Sequence, residues 1–550
     1  MTTEARQGPS LTSQAVWLMM AKTVSFAFAI ALPLLLVRRL SQQDLGLYKQ
    51  AFFVVTTAMN LLPLGFALSA FYFLPREPAR QPAVIANILA FLAGMGGCAA
   101  VLLFIWPGFI VWLFGTPELA PLARLLGVVV LLWTIGSFLE LITVAVQDVR
   151  ASTAFIVLAQ FSKTALLMGA AALVGTVQAL VVAALFQGVV QITVMVLYLR
   201  RRFPGFWRAF DWRLLRRQGA YALPLGMSSL VIQLQDTFHH LFVSNAFGPA
   251  GYAIYSVGVT QLPLVGILRE SAGAVMLPRI NQLESENGRL QILDLVARAA
   301  RKLALVYFPL SAFLLVAGHE VVIFLFTRQY EASWPIFAIA VSILPMNAIV
   351  LDPVTRAHSE RFFFLGLRLF VLAVLTTVLA LYAPQLGLVG VMAAVFTAIS
   401  TIWLVGVWRM SRLLEVGRTE LRAFRPVGWI AVSALAAAAV TAVVRSMVIG
   451  APVWQMIAVC ALAFAAVYAT ALSLSGVLAT AEVRSLFHDL RRAAVGAGAI
   501  LAALRRRPRP QAPSDPSAPA PVDLVAPGHS RQRPLSVSTL NSQLPTSNSQ

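Results

Sequence analysis

Charged residues and cysteines are both scarce in this chain. Of its 550 residues only 12% are charged, about half the share found in an ordinary soluble domain. The two cysteines, Cys98 and Cys460, lie inside apolar segments and are expected to pack as small hydrophobic residues. They offer neither a disulfide framework nor a metal site. The Gly-x4-Gly-Lys-Ser/Thr pattern of a P-loop is also missing, so ATP hydrolysis by this chain is not expected.

Long apolar segments make up most of this chain. Hydrophobic residues make up 59% of the chain, and its mean hydropathy is +0.80. An α-helix needs about 20 apolar residues to cross a hydrocarbon core of roughly 30 Å, and such segments recur almost from end to end. Residues 128–133 and 434–440 show no alternation of apolar and polar side chains, which argues against a β-barrel. The sequence therefore predicts an all-α, polytopic membrane protein.

Fourteen segments have the length and apolar character of spans. They are residues 15–37, 51–73, 83–106, 119–145, 151–174, 177–199, 219–242, 250–275, 303–325, 334–352, 362–382, 386–408, 427–444 and 452–474. The first is longer than the apolar part of a signal peptide, and Arg38 and Arg39 follow it without a small-residue cleavage pattern. We therefore predict that it is retained.

The lysines and arginines predict the orientation. With the N-terminus in the cytoplasm, the inner connections carry 22 of them and the outer connections carry five. The outer five are Arg38, Arg39, Lys49, Arg328 and Arg445. Because cations accumulate on the cytoplasmic side, we predict a multi-pass protein of the cell inner (cytoplasmic) membrane with both termini inside. The net charge of +20 then reflects topology and contact with membrane lipids, and no nucleic acid partner is expected.

A weak internal repeat predicts two parallel lobes. Leu-Pro-Arg ends the second span at residues 74–76 and ends the eighth at residues 277–279. The outer turn between the first and second spans reads Asp-Leu-Gly-Leu-Tyr at residues 44–48, and the corresponding turn between the seventh and eighth reads Gly-Pro-Ala-Gly-Tyr at residues 248–252. Because six helices separate the copies, the lobes should be related by an axis along the membrane normal, an arrangement that transporters use to line a central cavity.

The predicted organisation has five parts. They are an N-terminal six-helix lobe at 1–200, a basic cytoplasmic linker at 201–218, a C-terminal six-helix lobe at 219–412, two additional transmembrane helices at 413–475, and a cytoplasmic tail at 476–550 that is disordered from about residue 505. Residues 281–302 alternate charged with apolar residues, which predicts an amphipathic linker helix on the inner surface.

These landmarks resemble a known family. Twelve core spans in two halves, the turn at residues 39–48, its counterpart at 247–252 and the Leu-Pro endings are similar to the polysaccharide transporter branch of the multidrug, oligosaccharidyl-lipid and polysaccharide exporter superfamily. The likeness covers roughly residues 10–475. It implies a Wzx-type flippase that moves undecaprenyl-diphosphate-linked oligosaccharides by alternating access, without a cofactor and in the company of polysaccharide assembly machinery.

Three cations inside predicted spans are the candidate substrate-binding residues: Lys22, Lys163 and Arg269. An ionised side chain at mid-bilayer costs about 2.5–3.5 kcal/mol on insertion scales, so it tends to face a cavity or a partner. Guanidinium suits phosphate oxygens, and Arg269 would meet a diphosphate near the cytoplasmic mouth. The alternatives are an interhelical partner or a snorkelled anchor for each lysine, and an ion pair with Glu270 or another acid for Arg269.

The seventh span carries the polar stripe predicted to line the cavity. It consists of Ser229, Gln233, Asp236 and His240, with His239 beside it. The steps of four, three and four place the stripe on one helix face. Asp236 could pair with Lys22 or Lys163, and either histidine could relay protons. A hydrogen-bonded network that fixes helix packing explains the stripe equally well.

The balance of these charges ranks the possible functions. Lys22, Lys163 and Arg269 outweigh Asp236 and Glu270, which favours an anionic cargo over a cation-coupled drug antiporter of the same fold. A membrane glycan polymerase or ligase would need a large outer loop, whereas the longest, residues 107–118, is mostly apolar and lacks paired carboxylates. We therefore expect no enzyme activity and no metal site.

Overall fold

The computed structural model describes residues 28, 31–260, 262–286, 288–358 and 360–476, and within these ranges it omits the side chains at 225, 228, 229, 231, 232, 236, 263, 264 and 361. All elements in these ranges are helical, which confirms the predicted all-α class. The predicted disordered tail lies outside the described residues.

Seventeen α-helices follow one another along this part of the chain. They are α1 (31–39), α2 (Gln42–Leu61), α3 (Ser69–Arg76), α4 (Gln81–Ile105), α5 (Gly108–Phe114), α6 (Ala123–Gly136), α7 (Phe138–Ala145), α8 (Val149–Leu173), α9 (Val177–Arg202), α10 (Trp212–Gly258), α11 (Pro263–Ser285), α12 (Arg289–Phe326), α13 (Trp334–Val341), α14 (Asp352–Ala357), α15 (Arg361–Leu413), α16 (Arg425–Met447) and α17 (Val453–Leu474).

Many of these helices can cross a bilayer. Within the described ranges, eight helices are long and apolar enough to do so, and α2 and α3, bent by 48°, form a ninth candidate. Helix α15 contains two predicted spans, whereas α10 contains the seventh and only the beginning of the eighth, which continues in α11 from Pro263. Helices α10 and α15 are interrupted at Gly248 and Gly387, whose φ of 65° is accessible to glycine at little steric cost. The break at Gly248 falls between two predicted spans, and the break at Gly387 falls at the start of the predicted span 386–408.

Three local predictions from the sequence were wrong. The second span begins at Gln42 rather than near residue 51, because its first turns are helical although they are polar. The tenth is not continuous, since α13 ends at Val341. Residues 281–302 do not form a separate surface helix, because α11 runs on to Ser285 and α12 begins at Arg289 and continues into the bilayer region.

Helix α10 connects the parts of the bundle. It packs against α2 and α4 of the predicted first lobe and against α15 of the predicted second lobe. Two glycines let the backbone of α10 come close to α2 and to the turn that follows α2. A Cβ at Gly46 would overlap the carbonyl of Pro249, and one at Gly226 would overlap the carbonyl of Leu64. Any larger side chain would force these helices apart, since backbone atoms cannot move aside as a flexible side chain can.

The two additional helices dock on α12. Ala434 and Ala437 of α16, with Phe464 of α17, pack against Ala312. Near the other end of the contact, the carboxylate of Glu320 accepts two hydrogen bonds from Arg445. The pair is therefore attached to the bundle by an apolar contact and an ion pair.

Candidate functional site

Six of the nine predicted site residues have described side chains. These are Lys163, Gln233, His239, His240, Arg269 and Glu270. Lys22 lies outside the described residues. For Ser229 and Asp236 the structure describes helix α10 but not the side chains. Their predicted place in a cavity, and the pairing of Asp236 with a lysine, therefore stay predictions.

Lys163 lies near the middle of α8, where its ammonium group faces an aromatic ring. Nζ is 4.6 Å from the centroid of Trp133, and the indole Nε1 of Trp133 donates to the carbonyl of Ala184 at 3.0 Å. Among the described residues, no carboxylate oxygen lies within 4.0 Å of Nζ. Contact with the ring stabilises the cation by about 0.5–2 kcal/mol. The ring brings no negative charge of its own, so the positive charge of Lys163 stays available to an anion.

The rings of both histidines of α10 lie 5.7 Å from the ring of Tyr255, and their other neighbours differ. His239 is buried, and its Nδ1 lies 2.9 Å from the hydroxyl oxygen of Tyr255. The same hydroxyl contacts Met392 on α15. The His240 ring lies instead 5.2 Å from Phe53 on α2, and its Nδ1 is buried without a hydrogen-bond partner in the described part of the chain. The pair thus lies where α10 meets helices of both predicted lobes.

Lys49 is a further cation in this region, which the sequence analysis placed in an outer connection. It is half-buried on α2, one turn before Phe53, whose ring contacts His240. A capping pattern in the sequence predicts the early start of α2. Ser41 is an N-cap whose Oγ accepts from the amide of Asp44 at 3.0 Å, the capping pattern of a hydroxyl residue followed three positions later by an acid.

Arg269 and Glu270 lie on the exposed side of α11. The guanidinium Nη1 of Arg269 makes a long hydrogen bond of 3.5 Å to the amide oxygen of Asn347. Among the described residues, neither Glu270 nor any other acid has a carboxylate oxygen within 4.0 Å of the Arg269 guanidinium. The alternative prediction of an ion pair between Arg269 and Glu270 is therefore not observed. Arg368, which the sequence analysis left out of the site, is half-buried on α15 and donates to Gln235 at 3.1 Å.

The structure does not bring Lys163 and Arg269 into contact with each other or with the histidine pair, as far as the described side chains show. Lys163 and Arg269 both lack a carboxylate within 4.0 Å among the described residues. Gln233 lies on α10 without a side-chain hydrogen bond to a described residue. Within the same ranges, no three His, Cys, Asp or Glu residues form a group that could hold a metal ion. The arrangement is chemically suited to binding an anion.

One end of the bundle is closed by hydrogen bonds between its two halves. This is the end that the distribution of cations predicts to be extracytoplasmic, hereafter the outer end. The guanidinium of Arg38 donates to the carbonyls of Leu325 and Phe324, each at 3.0 Å. The Nε2 of Gln329 donates to the carbonyl of Val37 at 2.9 Å. Because the carbonyls at a helix C-terminus have no intrahelical partner and carry partial negative charge, a guanidinium is a favourable cap for α12.

A buried polar contact continues this closure inward. Gln50 on α2 has no exposed surface, and its Nε2 donates to Thr116 at 3.1 Å and to Ser244 on α10 at 2.6 Å. Buried amides are costly when they lack partners. These bonds therefore hold α2, the segment after α5 and α10 in one register.

A protein family and several solved structures resemble this chain. A family model described as "Polysaccharide biosynthesis protein" matches residues 72–335. The resemblance to polysaccharide transporters is confirmed. No curated protein matches the chain in sequence.

Solved structures agree with this resemblance and show the exporter fold. The lipid II flippase MurJ in an inward closed conformation is 14% identical, with a TM-score of 0.62 over 84% of this chain and 98% of that one. An inward-facing multidrug resistance MATE family transporter is 15% identical, with a TM-score of 0.54 over 74% and 99%. A superfamily transporter from Pyrococcus furiosus is 16% identical, with a TM-score of 0.50 over 73% and 95%.

The apolar helices and the fold shared with these solved structures indicate a multi-pass membrane protein. The count of fourteen spans and the boundaries of the lobes stay predictions, because the described residues include only part of the first predicted span. The site residues are likewise a proposal.

Proposed function

We propose that this protein is a flippase of undecaprenyl-diphosphate-linked oligosaccharides. It would move them from the inner to the outer leaflet of the cytoplasmic membrane, where they serve the synthesis of a surface or extracellular polysaccharide. The family match and the fold shared with a lipid II flippase support a lipid-linked cargo. Such a cargo carries a diphosphate between its sugar and its lipid tail. The protein must therefore stabilise negative charge inside the membrane.

The observation that carries the proposal is a set of cations without acidic partners. Lys163 faces the Trp133 ring, Lys49 is half-buried on α2 one turn before Phe53, and Arg269 makes one long hydrogen bond to an amide. A drug antiporter of the same fold would need acidic groups in these places in order to exchange a cation. With carboxylates absent from within 4.0 Å of the three described cations, a diphosphate would supply the missing negative charge.

Arg269 is proposed to meet the diphosphate first. It is exposed on α11, before Pro278 and towards the predicted cytoplasmic mouth, and its single long hydrogen bond leaves most of its five N–H groups free for phosphate oxygens. Lys163 and Lys22 would then hold the anion deeper in the first lobe. The polar residues Ser229, Gln233, Asp236, His239, His240 and Glu270 are proposed to line the path or to couple transport to an ion.

Alternating access requires the outer end to open. In the conformation described here it is held shut by Arg38, the amide of Gln329 and the approach of Gly46 to Pro249. All of these contacts join segments that are distant in sequence, so they can separate while the helices stay intact. Their total strength is that of a few exposed hydrogen bonds, about 0.5–1.5 kcal/mol each. The binding of a cargo can offset such a cost.

The test replaces Lys22, Lys163 and Arg269 singly with glutamine in cells that depend on this protein for their polysaccharide. Arg124→Gln is the matched control, since Arg124 lies at the start of α6 and its guanidinium covers Phe104. We expect the three site variants to lower the amount of surface polymer and to accumulate the lipid-linked unit in the inner leaflet. Arg124→Gln should do neither.

Two outcomes would contradict the proposal. Normal polymer with all three variants, each well inserted, would remove these cations from the mechanism. If the purified protein in vesicles moved a fluorescent cationic drug but no lipid-linked sugar, the protein would be an antiporter of the same fold.

A further inference from the structure

The predicted linker between the two lobes is an ordered part of the structure. Between α9 and α10, Phe203 and Phe206 are buried in the core cluster that also contains Leu214. The buried amide of Asn87 on α4 exchanges two hydrogen bonds with the backbone of Asp211, accepting at 3.0 Å and donating at 2.9 Å. The segment at residues 200–217 therefore presents a fixed outer surface.

That outer surface combines arginines with exposed aromatic rings. Trp207, Phe210 and Trp212 are each more than half exposed. The guanidinium carbons of Arg200 and Arg216 lie 5.6 Å and 5.4 Å from the ring centroids of Trp207 and Trp212. Large aromatic rings gain nothing from facing water, but at the headgroup level of a bilayer both their apolar faces and their N–H groups are satisfied.

Most of these arginines have no acidic partner. Seven arginines lie between residues 200 and 217, and among the residues that the structure describes only Arg217 of the seven forms an ion pair, with Glu77 at 3.0 Å. The one acid in the segment, Asp211, caps the start of α10 and lies 3.9 Å from Arg80 on a neighbouring segment. For the remaining arginines no carboxylate with described coordinates lies within 4.0 Å. The surface thus carries a positive charge that the protein does not neutralise.

We propose that the segment at residues 200–217 is a binding surface for anionic phospholipid headgroups of the adjacent leaflet. The phosphates would lie between the arginines, and the rings of Trp207 and Trp212 would insert at the level of the glycerol backbone. A zwitterionic headgroup offers no net charge to these arginines, so the surface discriminates between lipids rather than only anchoring the protein.

The test uses the full-length purified protein in phosphatidylcholine vesicles with trace spin-labelled lipid. Electron paramagnetic resonance compares the fraction of spin-labelled phosphatidylglycerol held at the protein with that of spin-labelled phosphatidylcholine. The variant is Arg208→Gln with Arg213→Gln. Each arginine near a membrane surface contributes about 1 kcal/mol, equivalent to a factor of about five. We expect this double variant to lose most of the preference for phosphatidylglycerol while phosphatidylcholine binding is unchanged.

The matched control is Arg418→Gln with Arg422→Gln. It makes the same charge change on the same predicted side, but these arginines lie close in sequence to Glu415 and Glu420. Both double variants should show the thermal transition of the parent protein, so that a change in lipid preference is not a change in folding. The control should keep the preference for phosphatidylglycerol.

Three results would overturn the inference. An equal loss in both double variants would mean that the charge of the whole inner face attracts the lipid. No loss in either would mean that the linker does not bind headgroups. Displacement of the spin-labelled lipid by inorganic phosphate, beyond the effect of chloride at the same ionic strength, would assign the surface to a soluble phosphate. The measurement involves no transport, so its outcome is independent of the proposed flippase activity.

Discussion

Replacement of Arg445 by leucine tests how the two additional helices are attached to the bundle. The carboxylate of Glu320 on α12 is 8% exposed. Its Oε1 accepts from Nε of Arg445 at 3.0 Å and from Nη2 at 2.7 Å. The ring of His319 lies 3.5 Å from the same oxygen, while Oε2 has no partner among the described residues. The substitution leaves a buried carboxylate without its principal cation.

The expected loss follows from this geometry. Removing one partner of a buried ion pair costs about 3–5 kcal/mol, because the remaining charge stays desolvated. Two hydrogen bonds to a charged group, at about 1.5–3 kcal/mol each, lead to the same range. Since 38% of the Arg445 side chain is exposed, water already reaches one side of the pair. We therefore expect Arg445→Leu to lower the free energy of unfolding by about 3 kcal/mol.

Equilibrium unfolding of the purified protein in mixed micelles measures this loss. Arg298→Leu is the control, because it removes an ion pair with Asp294 whose side chains are 65% and 59% exposed, and such a pair is worth about 0.2–1 kcal/mol. Adding Glu320→Gln to Arg445→Leu should recover most of the stability, since no buried charge is then left. If Arg445→Leu costs no more than Arg298→Leu, the reasoning about burial is refuted.

Three further predictions concern the rest of the bundle. Gly46→Val should abolish transport with normal membrane insertion, because the valine side chain would overlap the carbonyl of Pro249. The control is Gly97→Val, whose side chain would meet no atom within 4 Å and which should transport normally. Equal activity of the two variants would show that the contact between Gly46 and Pro249 is not needed for the transport cycle. Arg38→Gln should make amide hydrogen exchange at residues 323–327 about tenfold faster, through loss of two hydrogen bonds worth about 0.5–1.5 kcal/mol each, and an unchanged rate would show that they do not hold the outer end. Asn87→Leu should lower the unfolding free energy by about 2–3 kcal/mol, because buried polar groups lose their partner; a loss below about 1 kcal/mol would contradict this.

The apolar segments of the sequence predicted that helices are present, but they did not predict where the helices begin and bend. The last two predicted spans, 427–444 and 452–474, agree closely with α16 and α17. The second span was displaced because Asp44, Lys49 and Gln50 lower the hydropathy of a segment that is helical nonetheless. In the bundle, Gln50 has polar partners and Lys49 is half-buried. Hydropathy measures affinity for lipid and cannot register such partners.

For the candidate site, too, the sequence predicted some features and missed others. Sequence reasoning selected Lys163 and Arg269 because an unpaired charge in a span needs an explanation, and both have no described acid nearby. It could not find Trp133 under Lys163, since no sequence pattern links a ring on α6 to an ammonium on α8. It also treated Ser229, Gln233, Asp236 and His240 as one stripe. The stripe stays a prediction, because the side chains of Ser229 and Asp236 are not described. Only the packing of the helices shows that His239 and His240 both lie 5.7 Å from the ring of Tyr255.

By itself the sequence determined that the chain is an all-α membrane protein, because a backbone in hydrocarbon must satisfy its own hydrogen bonds and only long apolar helices do so in one segment. It also supplied a surplus of cations. The tertiary structure alone decided what each cation meets: a ring for Lys163, helix-terminal carbonyls for Arg38, and for Arg445 a carboxylate 125 residues away in the chain. Electrostatic partnership depends on distances of a few ångströms between helices, and these are set only when the bundle packs.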